Sequence, residues 1–150
     1  MGGYNEVTFS KALMGRLGYG EDLLEELTDI CRKERIALGQ IKAIGAVKRA
    51  KLGYYNQSEQ VYNLFDINKP LEITNLSGNI SLKDGVPMIH AHITLADREG
   101  RAFGGHLAPG TIVFACEFII SVLDGQSYDR EFDEETGLPL WCEEYWNAYI

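Results

Sequence analysis

The sequence predicts an α+β domain: one amphipathic helix near the N-terminus, then an antiparallel-rich β-sheet. Helical spacing of apolar residues occurs in one stretch only, residues 21–38. Everything after it is a series of short β-prone runs cut by glycine, asparagine, serine and proline. Length agrees, since 150 residues suit one domain, 1–150, and a 45% hydrophobic content supplies a core without cross-links.

The elements follow in chain order. A short N-terminal segment at 7–13 leads into Gly15-Arg16-Leu17-Gly18-Tyr19-Gly20. The glycine order is wrong for a dinucleotide fingerprint and no Gly-Lys-Ser/Thr completes a P-loop, so nucleotide binding is not expected. Over 21–38, Leu23, Leu27, Ile30 and Cys31 share one helical face, which Leu24 widens. Glu21, Asp22 and Glu25 in the first turn and Arg32, Lys33 and Arg35 in the last complement the helix dipole, with Gly39 placed to end the helix. The runs 41–47, 52–56, 60–67 and 71–82 read as separate short strands in a meander.

Residues 111–123 form the most apolar strand. Alternation puts Ile112, Phe114, Cys116, Phe118, Ile120 and Val122 on a core face and Thr111, Val113, Ala115, Glu117, Ile119 and Ser121 on the other. Glu117 is therefore either a carboxylate able to orient a ligand or relay protons, or a solvent-facing side chain. Residues 128–133 read as a last strand before an extended tail. The tail aromatics Trp141, Tyr145, Trp146 and Tyr149 call for cover by the domain or a neighbouring subunit.

All three histidines fall in one short stretch, as His90-Ala91-His92 and Gly104-Gly105-His106. In a strand, residues two apart point to the same side, so His90 and His92 share a face. Asp97-Arg98-Glu99-Gly100 supplies a turn whose glycine suits a left-handed position, and folding there sets His92 opposite His106. Opposed side chains lie about 4.5–5.5 Å apart at Cβ, so three imidazoles converge on one point. Three neutral histidines with one position left open is the donor set of catalytic zinc; iron, nickel, cobalt and copper also accept it. Gly104 and Gly105 leave room for close approach of the backbone to a ligand.

Net charge is −8, which opposes nucleic-acid binding driven by phosphate contacts. The charge is uneven: Lys42, Lys48, Arg49 and Lys51 meet no acid between 36 and 58, whereas 124–144 holds eight acids against Arg130 alone. The basic strip suits either a local nucleic-acid contact or a sheet edge guarded by lysines. Three cysteines, with no Cys-x-x-Cys pair, suit a reducing compartment, hence the cytoplasm. No leader or membrane-spanning run is expected, and Glu6 in place of Ser or Thr argues against an N-terminal lipid.

Arg16 with Gly20-Glu21-Asp22-Leu23, Ile41-Lys42-Ala43-Ile44-Gly45-Ala46, Gly78-Asn79-Ile80, His90-Ala91-His92, Gly104-Gly105-His106-Leu107 and Cys116-Glu117 occur in one order. That series resembles the plant and prokaryote conserved (PPC) domain, over nearly the whole chain. The resemblance implies an α+β fold with an antiparallel-rich, mixed sheet, a homotrimer, and a metal, often zinc, at the three histidines. It also brings a DNA-binding label from plant relatives that use a separate Arg-Gly-Arg-Pro hook, which this sequence lacks.

The expected function is a metal-binding homotrimer whose open position takes a small polar or anionic ligand. Were it a hydrolase or lyase, Glu117 would be the candidate base and Arg16 or Arg130 the anion clamp. The alternative, a DNA-binding regulatory module using the basic strip, predicts steeply salt-dependent binding to duplex DNA.

Overall fold

The computed structural model describes residues 3–142 and 144. Among the described residues, nine strands and one helix run in the order β1 (Thr8–Arg16), α1 (Leu23–Lys33), β2 (Gly39–Asn56), β3 (Val61–Ile67), β4 (Leu71–Lys83), β5 (Val86–Ala96), β6 (Ala102–Leu107), β7 (Ile112–Asp124), β8 (Arg130–Asp133) and β9 (Leu138–Trp141). A seven-stranded sheet has the order β1-β7-β2-β4-β5-β6, with β3 also on β2; β8 and β9 form a separate hairpin. Every ladder is antiparallel, and among the described residues the one parallel pairing is the isolated bridge between Leu82 and Asp129.

The helix is shorter than its apolar spacing predicts, because both ends are fixed by caps. Asp22 is the N-cap, its Oδ1 accepting the N–H of Leu24 and of Glu25 at 3.1 Å. The other oxygen, Oδ2, accepts the N–H of Gly110 and so ties the helix start to the loop before β7. At the far end Ile36 N–H returns to Cys31 O and Arg35 N–H to Arg32 O, the paired bonds of a Schellman closure. Arg35, not a glycine, takes the left-handed position at φ 55°, so the chain turns before Gly39, which opens β2 instead. Leu23, Leu27 and Cys31 are fully buried from this face; each leucine contributes about 1.5–3 kcal/mol by leaving water.

The meander expectation holds for β4-β5-β6 and for the β2–β3 hairpin, but β7 returns to lie between β1 and β2. The runs 41–47 and 52–56 are one strand of 18 residues. Its first half pairs with β4 and β7 and its second with β3, while Leu52–Leu107 and Gly53–His106 pairing brings β6 back onto β2. This closure curls the sheet, and a bulge helps it turn: Gly45 sits at φ 143°, where a Cβ would lie 2.1 Å from Ala115 O. The β7 alternation is interrupted as well. The ladder passes from Ala46–Ala115 to Val47–Val113, so Phe114 is the extra residue. Val113 is fully buried in its place and Phe114 is 56% exposed, a reversal of the face predicted for those two.

Residues 138–141 form β9 rather than an extended tail. Trp141 finds its cover by stacking on Tyr128, ring centroids 4.9 Å apart; Tyr145, Trp146 and Tyr149 lie outside the described residues. Cys31, Cys116 and Cys142 are free thiols, and burial pushes the first two up to about 11. Among the described residues no helix is long and apolar enough to cross a membrane, which leaves β-barrel spans unaddressed.

Candidate metal centre

His90 and His92 project from the same face of β5, and the β5–β6 register pairs His92 with His106 as the turn at 97–100 requires. The turn is held by Asp97, whose carboxylate accepts the N–H of Glu99 and Arg101 and bonds Lys69 and the Arg101 side chain. Gly100 occupies a left-handed φ of 75°. Fixing this turn fixes the register, and the register places the rings.

One nitrogen from each histidine lies within 4.8 Å of the other two, and ring centroids are 5.1–5.7 Å apart. His90 and His106 are half-buried and His92 is exposed. Burial, reinforced by His106, Arg130 and His92, brings the His90 imidazole down to about 4; burial, His92 and Arg130 lower His106 likewise. Both rings are thus neutral near pH 7, the form that binds metal.

The donor set also shows what is missing from it. His90 Nε2 and His106 Nδ1 are buried with no hydrogen-bond partner, an arrangement costing about 1–3 kcal/mol per group unless something satisfies it. A metal ion held by the imidazole nitrogens would do so. Tyr62 of β3 packs on the outer face of His106, centroids 4.6 Å apart. Gly105 serves strand packing rather than ligand approach: a Cβ there would lie 2.8 Å from Gly53 O, so glycine lets β6 close on β2 beside His106.

Of the other candidates, the fold brings Arg130 to the histidines and leaves Glu117 and Arg16 away from them. Glu117 and Arg16 are cross-strand partners on β7 and β1, both exposed, and β2 and β4 stand between β7 and β5. Together with Met14, Lys42, Ile44 and Ile119 they line an open surface groove. Arg130 is 8% exposed. It donates from Nε to Ser81 Oγ at 2.9 Å, from Nη1 to Pro139 O at 2.9 Å and from Nη2 to Asn79 Oδ1 at 2.8 Å. Asn79 is the cross-strand partner of His90, so this guanidinium borders the metal centre. Asn79, Ser81 and Tyr62 were not singled out as site residues. The first two carried a signal, polar side chains two apart on one face of an apolar strand, whereas Tyr62 carried none.

An antiparallel sheet curled to gather three imidazoles beside a buried arginine defines the class, a β-rich domain with a candidate metal site. The chain belongs to the Plants and Prokaryotes Conserved (PCC) domain family, whose profile matches residues 4–124. A metal-containing protein from Archaeoglobus fulgidus is 42% identical, with 92% of this chain and 97% of that one covered and a TM-score of 0.88. A plant- and prokaryote-conserved protein from Pyrococcus horikoshii is 35% identical over 93% and 96% of the two chains, TM-score 0.88. The bifunctional protein GlmU of Synechococcus sp. (strain JA-3-3Ab) is 33% identical over 124 residues, 81% of this chain and 19% of that protein. The chain thus spans about a fifth of the length of the curated relatives it matches.

Proposed function

We propose that the chain is the subunit of a cytoplasmic homotrimer that holds one divalent transition metal, zinc before others, through His90, His92 and His106. The observation that carries this is the gathering of one nitrogen from each of the three imidazoles within 4.8 Å, beside the buried, partnerless His90 Nε2 and His106 Nδ1. A metal held by three neutral histidines keeps a position open and supplies Lewis acidity there to a small polar or anionic ligand. The identity with a metal-containing archaeal protein supports the same reading. Hydrolase or lyase chemistry is consistent with it, with Arg130 as the anion clamp; within one subunit β2 and β4 stand between the strand of Glu117 and that of His90 and His92.

Support for self-association comes from another part of the same sheet face, on β1, β7 and β2. Met14, Ile44 and Ile119 are 78%, 57% and 43% exposed in one groove with Arg16, Lys42 and Glu117, an apolar surface with a polar rim suited to a second copy. Duplex DNA is not proposed as a partner, given the charge of −8. The test is metal content by plasma mass spectrometry on protein purified without a histidine tag, with His92→Ala beside the wild type. Near-stoichiometric metal that is lost in the variant is expected. Wild-type protein that neither holds nor takes up metal refutes the site.

A further inference from the structure

The profile of the family ends at residue 124, yet one wall of the histidine site comes from beyond it. Asp129 anchors the β8–β9 hairpin by accepting the N–H of Asp84 and Gly85 at 3.0 Å, and Leu82 N–H bonds Tyr128 O. Its tip is tied to the β2–β3 hairpin, where Tyr55 Oη–H donates to Thr136 O and Gln60 Nε2 to Glu135 O. Held at both ends, β8 and β9 border an open pocket of about 410 Å³ lined by Asn79, His90, Arg130, Phe132, Leu140 and Trp141.

Arg130 is a buried cation in that pocket, and among the described residues no carboxylate pairs with it. Burying a charge without a counter-ion is costly, and three neutral acceptors do not cancel it. Of its five N–H donors three are spent on Ser81, Asn79 and Pro139, which lock the guanidinium plane and leave one N–H on each terminal nitrogen. A free donor on each terminal nitrogen of a fixed plane can serve a carboxylate or phosphate. The rest of the pocket decides between them. Phe132, Leu140 and Trp141 offer apolar surface for a ligand body, while Glu131 and Asp133 on the same wall repel a second negative charge.

We propose that this pocket is a receptor for a small monocarboxylic acid with an apolar substituent, its carboxylate on Arg130 and its reach extending to the open position of the metal. The C-terminal hairpin is then the element that gives the shared histidine site its ligand class. This deepens the metal-site reading and is tested so that the two fail separately. Phenylacetate, phenylacetamide and phenyl phosphate are titrated calorimetrically into zinc-treated protein whose zinc content is measured in the same samples. Saturable binding of phenylacetate is expected, with phenylacetamide and phenyl phosphate each weaker by about tenfold or more, the scale of one charge-assisted contact. Arg130→Met, checked for retained fold by circular dichroism, is expected to lose phenylacetate to the same extent and to keep its zinc. Should that variant not fold, the comparison of the three probes on wild type decides alone. Equal binding of acid and amide, or tighter binding of the phosphate, overturns the carboxylate assignment. Failure to take up zinc overturns only the metal reading, and the acid–amide comparison on metal-free protein still decides this one.

Discussion

His106→Leu separates the stability of this domain from its metal site, because the two respond with opposite signs. Without metal, His106 Nδ1 is buried and unpartnered, a loss of about 1–3 kcal/mol that leucine removes at similar volume. Leucine gives up the ring contact with Tyr62 at 4.6 Å, worth about 0.5–1.5 kcal/mol beyond area burial. The balance is about 1 kcal/mol in favour of the variant, or roughly 2–4 °C in Tm for a chain of this size. Metal reverses the order. At free zinc one hundred times Kd, wild type gains about 2.7 kcal/mol, roughly 5–11 °C, while a two-histidine site gains little. The assay is thermal unfolding followed by circular dichroism near pH 7.5, once with chelator and once with excess zinc, and the two melting curves are expected to exchange places. A variant less stable than wild type in chelator refutes the partnerless-nitrogen argument. A variant that gains the full zinc shift refutes the three-histidine site.

Two further outcomes test the frame that holds the site. Hydrogen bonds from Lys69 and Arg101, outweighing burial, hold the Asp97 carboxyl well below the usual carboxylate range. Its folded pKa lies below its unfolded one, so the stabilisation is present above about pH 4 and is lost as pH falls through the folded value. Asp97→Asn is therefore expected to lower Tm at pH 7 and to flatten the fall of Tm below pH 4; an unchanged acid limb would show that the turn draws nothing from this carboxylate. Gly45→Ala, which sets a methyl against Ala115 O in a left-handed backbone, is expected to cost roughly 3 kcal/mol or more, read as a lower denaturation midpoint at unchanged m. A loss under about 1 kcal/mol would mean that the bulge can move.

What the sequence disclosed and what it concealed divide along the range of the interactions. The histidine hairpin was legible because its register depends on nearby residues alone, period-two alternation on two strands and a turn four residues long. The helix was legible as an element but not in its length, since Arg35 in a left-handed cap obeys no local preference. Phe114 misled for a related reason: a bulge arises from the partner strand β2, so alternation read on β7 alone assigned it to the core. The insertion of β7 between β1 and β2 likewise carries no local mark.

Arg130 shows where this matters for function. As letters, Arg16 and Arg130 were equivalent candidates for an anion clamp. Only contacts across 49 and 51 residues, to Ser81 and Asn79, bury one guanidinium beside His90, while the other stays on an exposed strand facing Glu117. A cation at a surface is cheap and says little about ligands; a cation buried with no ion pair among the described residues is expensive, and that cost is the ground for the anion proposed above. The histidine cluster is thus written in a local motif, whereas the proposed choice of ligand rests on a hairpin whose role depends on long-range contacts. Sequence reading of related chains should therefore find the histidines readily and still leave their ligands open until the segment after residue 124 is placed.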